Sequence, residues 1–157
     1  GGGLVSDIKM RESVPADWSS LLRVHDRARP LELLGSFPAE AFVPLAEDPE
    51  HEQLAQCTIL VAEQDGQVIG FAAFEDSSLD WLYVDPDHHR RGVGRLLLRA
   101  CLERMQGAVG AIACANNSMA LALYVSEGFR IVDRFEGENA GHRGPLLRLR
   151  REDPAGE

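Results

Sequence analysis

Apolar and polar positions change rhythm several times along the chain, and each change marks an element. Residues 7–13, DIKMRES, alternate Ile8 and Met10 with charged neighbours, the period of a half-buried strand. From Val14 to Arg29, Trp18, Leu21, Leu22 and His25 recur at helical spacing, with Pro15 in the first turn and Pro30 set just beyond the end. The pattern weakens between Leu31 and Glu52, where Pro38 opens a short helix containing Ala41, Phe42 and Leu45. It returns at residues 58–76, TILVAEQDGQVIGFAAFED. Two β-rich runs there flank Asp65-Gly66, a dipeptide that supplies the positive φ angles of a tight hairpin turn. SSLDWLYVDP follows as a third strand, ended by Asp85-Pro86.

Beyond that turn the period lengthens again. Gly92 to Met105 is predicted helical, with Val93, Leu96, Leu97, Ala100, Cys101 and Met105 on its apolar side and Gly107 as its C-terminal cap. VGAIACA, residues 109–115, is wholly apolar and reads as a strand buried on both faces. NNSMALALYVSEG is a second helix, N-capped by Asn116 or Asn117 and closed by Gly128. FRIVDRFEG and PLLRLRR read as two last strands around a Gly-rich loop, ENAGHRG. The order β-α-(α)-β-β-β-α-β-α-β-β predicts an α/β (α+β) fold: one mixed, mostly antiparallel sheet flanked by helices. We find no repeat or linker, so residues 1–157 form a single domain, and Gly1 to Gly3 read as an appended or frayed end.

Composition narrows the function. The net charge of -9 argues against a nucleic-acid binder, which needs a basic face to neutralise phosphates. No apolar run approaches the roughly 18 residues of a membrane span, and the N-terminus lacks the basic and apolar regions of a signal peptide. Cys57, Cys101 and Cys114 sit apart in apolar runs, with no C-x-x-C spacing, as unpaired thiols in a reducing cytoplasm would. A homodimer is compatible with all of this.

Against that acidic background, Arg90, Arg91, Arg95 and Arg99 crowd one helix entrance. A helix N-terminus carries about half a positive charge and several unpartnered N–H groups. Gly92 and Gly94 would let a ligand close on those donors, so the segment reads as a phosphate or diphosphate cradle. It is not a P-loop, since no G-x-x-x-x-G-K-[ST] string occurs. Nor is it a Rossmann turn, because the third glycine of G-x-G-x-x-G is missing. Asp85, Asp87, His88 and His89 offer metal-ligand types, but adjacent histidines in a turn aim poorly at one ion, and we expect no metal.

LYVDPDHHRRGVGRLLL resembles the acyl-CoA-binding segment of the GNAT superfamily, the acetyl-CoA-dependent N-acetyltransferases. The family pattern (Gln or Arg, two residues, Gly, one residue, Gly or Ala) falls on His89-Arg90-Arg91-Gly92-Val93-Gly94, with His89 departing at the first position. A second family element is similar to Asn117, Ala120, Tyr124 and Gly128-Phe129. The resemblance spans Cys57 to Val132 and implies that the third strand and the apolar strand splay at their C-terminal ends. Pantetheine would enter there and pair with the backbone at Leu82, Tyr83 and Val84, and the diphosphate of coenzyme A would lie on the amides of Arg91 to Arg95. It also implies N–H groups at Leu82–Tyr83 for the oxyanion, contacts from Asn117 and Ala120, and Tyr124 as the acid that protonates the leaving thiolate.

An alkyl ammonium must lose a proton before it attacks, because its pKa is about 10.4. The position where some family members carry a glutamate falls on Ser78 here, so Asp80, two residues on, is the first candidate base. Glu75, Asp76, Glu32, His142 or a chain of waters are the alternatives. The acceptor is expected to meet Val14–Glu52 and residues 137–144, and the acidic excess leans toward a cationic amine, small molecule or peptide. Two other readings stay open: a non-catalytic acyl-CoA-binding module, and a nucleotide-binding protein using the same arginines.

Overall fold

The computed structural model describes residues 7–154; the reading of Gly1 to Gly3 lies outside them. The strands are β1 (Lys9–Glu12), β2 (Thr58–Gln64), β3 (Gln67–Glu75), β4 (Ser78–Val84), β5 (Val109–Cys114), β6 (Arg130–Asn139) and β7 (His142–Arg151). They form one sheet in the order β1-β2-β3-β4-β5-β7-β6, antiparallel except where β4 meets β5. Helices α1 (Trp18–Leu33) and α2 (His51–Gln56) cover one face, and α3 (Val93–Arg104) and α4 (Ser118–Ser126) the other.

Alternation and one bulge divide the core. Along β4, Trp81 and Tyr83 pack under α1 with Leu21, Val24 and Phe71, while Leu82 and Val84 face Val93, Leu97 and Cys101 of α3, and Leu79 joins that second face because the register shifts between it and Trp81. Asp65 and Gly66 turn the β2–β3 hairpin with φ of 53° and 76°, as the dipeptide predicts.

Five expectations are corrected. Pro30 lies inside α1 rather than beyond it. Its missing N–H removes one i→i−4 hydrogen bond, but Leu33 still continues the helix because it is buried beside Phe37, Ala41 and Cys114. The helix after Pro38 is two 3-10 turns, Ala39–Ala41 and Leu45–Glu47, with Pro44 between them, and the true helix of this segment is α2. Gly107 does not cap α3, which ends on extended Met105; its φ of 74° serves the turn into β5. The loop ENAGHRG is mostly strand: only Ala140-Gly141, with φ of 49° and 82°, turns the β6–β7 hairpin. Finally β5 is not buried on both faces, for Ile112 is 51% exposed and lines a cleft.

Candidate active site

That cleft follows from the sheet. β4 and β5 pair only at Ser78–Gly110 and Leu79–Ala111, and then part. Trp81 pairs with Ala73 and Leu79 with Phe74, which leaves Asp80 as the extra residue of a β-bulge at the fork. Past the bulge, the Asp85 amide donates to the Ile69 carbonyl, so by alternation Trp81 and Tyr83 also turn their amides toward β3. The backbone groups of Leu82 and Val84 therefore face the gap where β5 is absent. The expected oxyanion donors at Leu82–Tyr83 narrow to Leu82. The Val84 carbonyl already accepts from His89 Nε2 at 2.9 Å.

The cradle stands at the open end of this fork. His88 and His89 close a 3-10 turn, Arg90 and Gly92 take φ of 64° and 80°, and α3 begins at Val93. The amides of Arg91 through Arg95 have no protein partner, and the side a Cβ would occupy at Gly92 is open. Five bare donors beside two unpaired guanidinium groups, Arg90 and Arg91, fit a diphosphate. Gly94 serves packing instead: a Cβ there would stand 3.3 Å from Leu123 of α4.

Arg95 and Arg99 are not part of that charge. Arg95 donates to Glu127 at 2.6 Å and to Ser126 at 2.8 Å, and Arg99 donates to Glu127 at 2.6 Å, stapling α3 to the end of α4. The Arg99 guanidinium, opposed by burial and helped by Arg95, holds the Glu127 carboxyl below its usual value. A folded value below the unfolded one means stability present above the ordinary Glu range and lost as pH falls through the folded value. Between about pH 6 and pH 3, wild-type Tm should fall more than that of Glu127→Gln. Equal slopes in a thermal melt series would contradict the staple.

Asn117, not Asn116, caps α4, accepting from the Ala120 amide at 3.3 Å. One turn on, Tyr124 is 5% exposed and packs edge-on to Phe129 at 5.1 Å. Its hydroxyl has no protein partner yet is not sealed from solvent. Burial first, then Glu32, pushes the phenol well above its usual value, so the side chain holds its proton.

Opposite, on the α1 side of the fork, lies a cavity of about 680 Å³. Its wall carries five carboxylates, Glu32, Asp48, Glu50, Asp80 and Glu138, against three arginines, Arg29, Arg148 and Arg150. Arg29 pairs with Glu32 and donates to Asn139 at 2.9 Å, and the Tyr83 hydroxyl donates to Glu32 at 2.8 Å. Burial first, and then Asp48, raises the Glu50 carboxyl. Asp80 accepts from Ser78 at 2.5 Å and from Gln53 at 3.1 Å, while Trp81 Nε1 donates to the other end of the Gln53 amide at 2.8 Å. Asp80 and Glu32 share this wall; Asp76 and His142 do not line it.

Cys57, Glu75 and Asp80 converge within 4.8 Å, but the Gln53 Nε2 reaches all three and fills the space between them. Burial first, then Asp80 and Glu75, pushes the Cys57 thiol up to about 11; burial moves Cys101 to about 12 and Cys114 to about 11. All three are unpaired thiols. Asp85 and Asp87, the acidic half of the rejected metal set, are taken by Arg27 at 2.5 and 3.2 Å.

His25 was absent from the sequence-based site. It read as one more position on the buried stripe of α1, and it is buried, but it also lines the acidic cleft. Nothing in the helical period distinguishes the two.

Known proteins share this fold. A family profile described as an acetyltransferase (GNAT) domain matches residues 55–131. The peptidyl-lysine N-acetyltransferase YjaB of Salmonella typhimurium is 25% identical over 143 residues, spanning 90% of this chain and 97% of its own. A GCN5-related N-acetyltransferase from Rhodopseudomonas palustris superposes with a TM-score of 0.81 at 21% identity, covering 97% and 99% of the two chains. The acetyltransferase YncA of Salmonella typhimurium, solved with acetyl-CoA, superposes at 0.70 and 21% identity over 94% of each. No helix among the described residues is long and apolar enough to cross a membrane.

Proposed function

The chain belongs to the GNAT superfamily of acetyltransferases, and we propose that it carries the acetyl group of acetyl-CoA onto a primary amine by direct attack. The observation that carries this reading is the fork between β4 and β5, with partnerless amides at its open end and an acidic cavity on its far side. Acetyl-CoA would supply the activated thioester. The amides of Arg91 to Arg95, with the Arg90 and Arg91 side chains, hold its diphosphate; Leu82 and the Val84 amide meet the pantetheine arm, with Asn117 and Ala120 alongside. Leu82 N–H is the donor placed for the developing oxyanion.

Tyr124 protonates the departing sulfur. Its hydroxyl is bare and uncharged, and donation to a thiolate of pKa about 8.5 is workable when synchronous with bond cleavage. Asp80, at the bulge, draws the ammonium and takes its first proton. The carboxylates around it favour a cationic acceptor, a lysine side chain or a small amine, in keeping with the peptidyl-lysine activity in the name of YjaB. The thiols suit a reducing compartment, and we place the reaction in the cytoplasm.

Thiol release from acetyl-CoA, measured against a panel of lysine peptides and small amines, tests the reading. Turnover with cationic amines is expected. Tight coenzyme A binding with no turnover of any amine would make the protein a binding module instead.

A further inference from the structure

Resting on that reading, we infer that His25 and Asp26 form the base that takes the second proton from the acceptor nitrogen. His25 is 2% exposed, yet it lines the cleft. Its Nδ1 lies 2.9 Å from Asp26 Oδ1. A carboxylate can only accept, so Nδ1 carries the hydrogen, and in the neutral ring Nε2 presents a lone pair. The same Asp26 oxygen accepts from the Leu45 amide at 2.9 Å, which fixes the carboxylate from the segment that closes over α1.

The ring is held as firmly as the carboxylate. Tyr83 meets it at 5.1 Å, Trp81 at 6.1 Å and Phe42 at 6.5 Å between centroids. Nε2 has no partner in the protein. Among the described residues the one sealed and unpaired side-chain nitrogen is His88 Nδ1, so His25 Nε2 keeps its opening to solvent through the cleft. A histidine oriented by a carboxylate, with its free nitrogen turned to a reaction cleft, is the arrangement general-base catalysis needs. The titratable and charged groups around it are Asp26 and Arg29 on α1, Tyr83 on β4 and Glu50 ahead of α2.

A primary ammonium sheds two protons on becoming an amide. The first leaves to Asp80 and solvent before attack. As the N–C bond forms and the C–S bond breaks, His25 Nε2 takes the second and Tyr124 gives its own to sulfur. The imidazolium then loses a proton to solvent and the phenolate regains one, so each turnover releases one proton in all.

The test uses acetyl-CoA with whichever amine the wild type acetylates fastest. His25→Gln should lower kcat about 100-fold, leave the coenzyme A Kd within about twofold, and abolish the acidic limb of the pH–rate profile. Imidazole should restore at least tenfold to His25→Ala. Asp26→Asn keeps an oxygen for both of its donors and so keeps the fold; it should lower kcat about tenfold and move that limb to lower pH. A long-range proton–nitrogen spectrum of the wild type should place the hydrogen on Nδ1. His25→Gln at wild-type kcat, a pH-independent loss without imidazole rescue, or a hydrogen on Nε2 would overturn the dyad while the transferase reading stood. A wild type that turns over no amine would remove both.

Discussion

Tyr124→Phe should lower kcat by 100-fold or more while coenzyme A binds as before. The substitution removes one oxygen that has no protein partner, so no packing or hydrogen bond is lost with it. The ring still packs edge-on to Phe129 in the same buried place. What goes is the proton for the sulfur, and positioned acid catalysis contributes about 10²–10⁴ in rate. A loss of 100-fold corresponds to about 2.7 kcal/mol of transition-state stabilisation. Stopped-flow thiol release and calorimetric Kd values separate the two effects. A variant that keeps kcat within threefold would return Tyr124 to being a packing residue between α4 and the sheet.

The placement of Tyr124 was legible in advance because its pattern is local: Asn117 caps one short helix that carries Ala120 and Tyr124, and helical spacing fixes their mutual positions. The same holds for His89 to Gly94, where turn chemistry and a helix start are both written in neighbouring residues. Strands were legible too, since a period of two survives in any sequence with one buried face. Tertiary contacts were not. Arg95 and Arg99 looked equivalent to Arg90 and Arg91 until Glu127, 28 residues beyond Arg99, took them away from the cradle. Ile112 carried no mark of exposure, because the gap beside β5 is made by a bulge at Asp80 on another strand. His25 had the spacing of a core residue and the burial of one. The second role we propose for it depends on Asp26, Leu45 and an open Nε2, which belong to three dimensions. Pro30 and the β6–β7 turn failed differently: local breakers were overruled by Leu33 burial and by a long hairpin register.

The division of arginines gives the cradle its sharpest test. Arg90→Glu with Arg91→Glu should raise the Kd for coenzyme A about 30- to 150-fold, or about 2–3 kcal/mol, with Tm nearly unchanged. Both side chains are exposed and neither makes a hydrogen bond or ion pair within the protein, so little stability is expected to go with them. Reversal both removes two cations and sets two anions before amides that have only a phosphate to meet. The wild-type Kd should weaken with added salt, and the double variant should show a flatter dependence, because fewer charges meet at the diphosphate. Reversing Arg95 and Arg99 should do the opposite: Tm falls, since Glu127 is left 9% exposed beside new anions, while the cofactor loses only what a loosened helix start costs it. If the first pair leaves the Kd within threefold, or if the second pair proves the more damaging to binding, the diphosphate does not sit on this turn. The positive cluster would then be helix stapling alone.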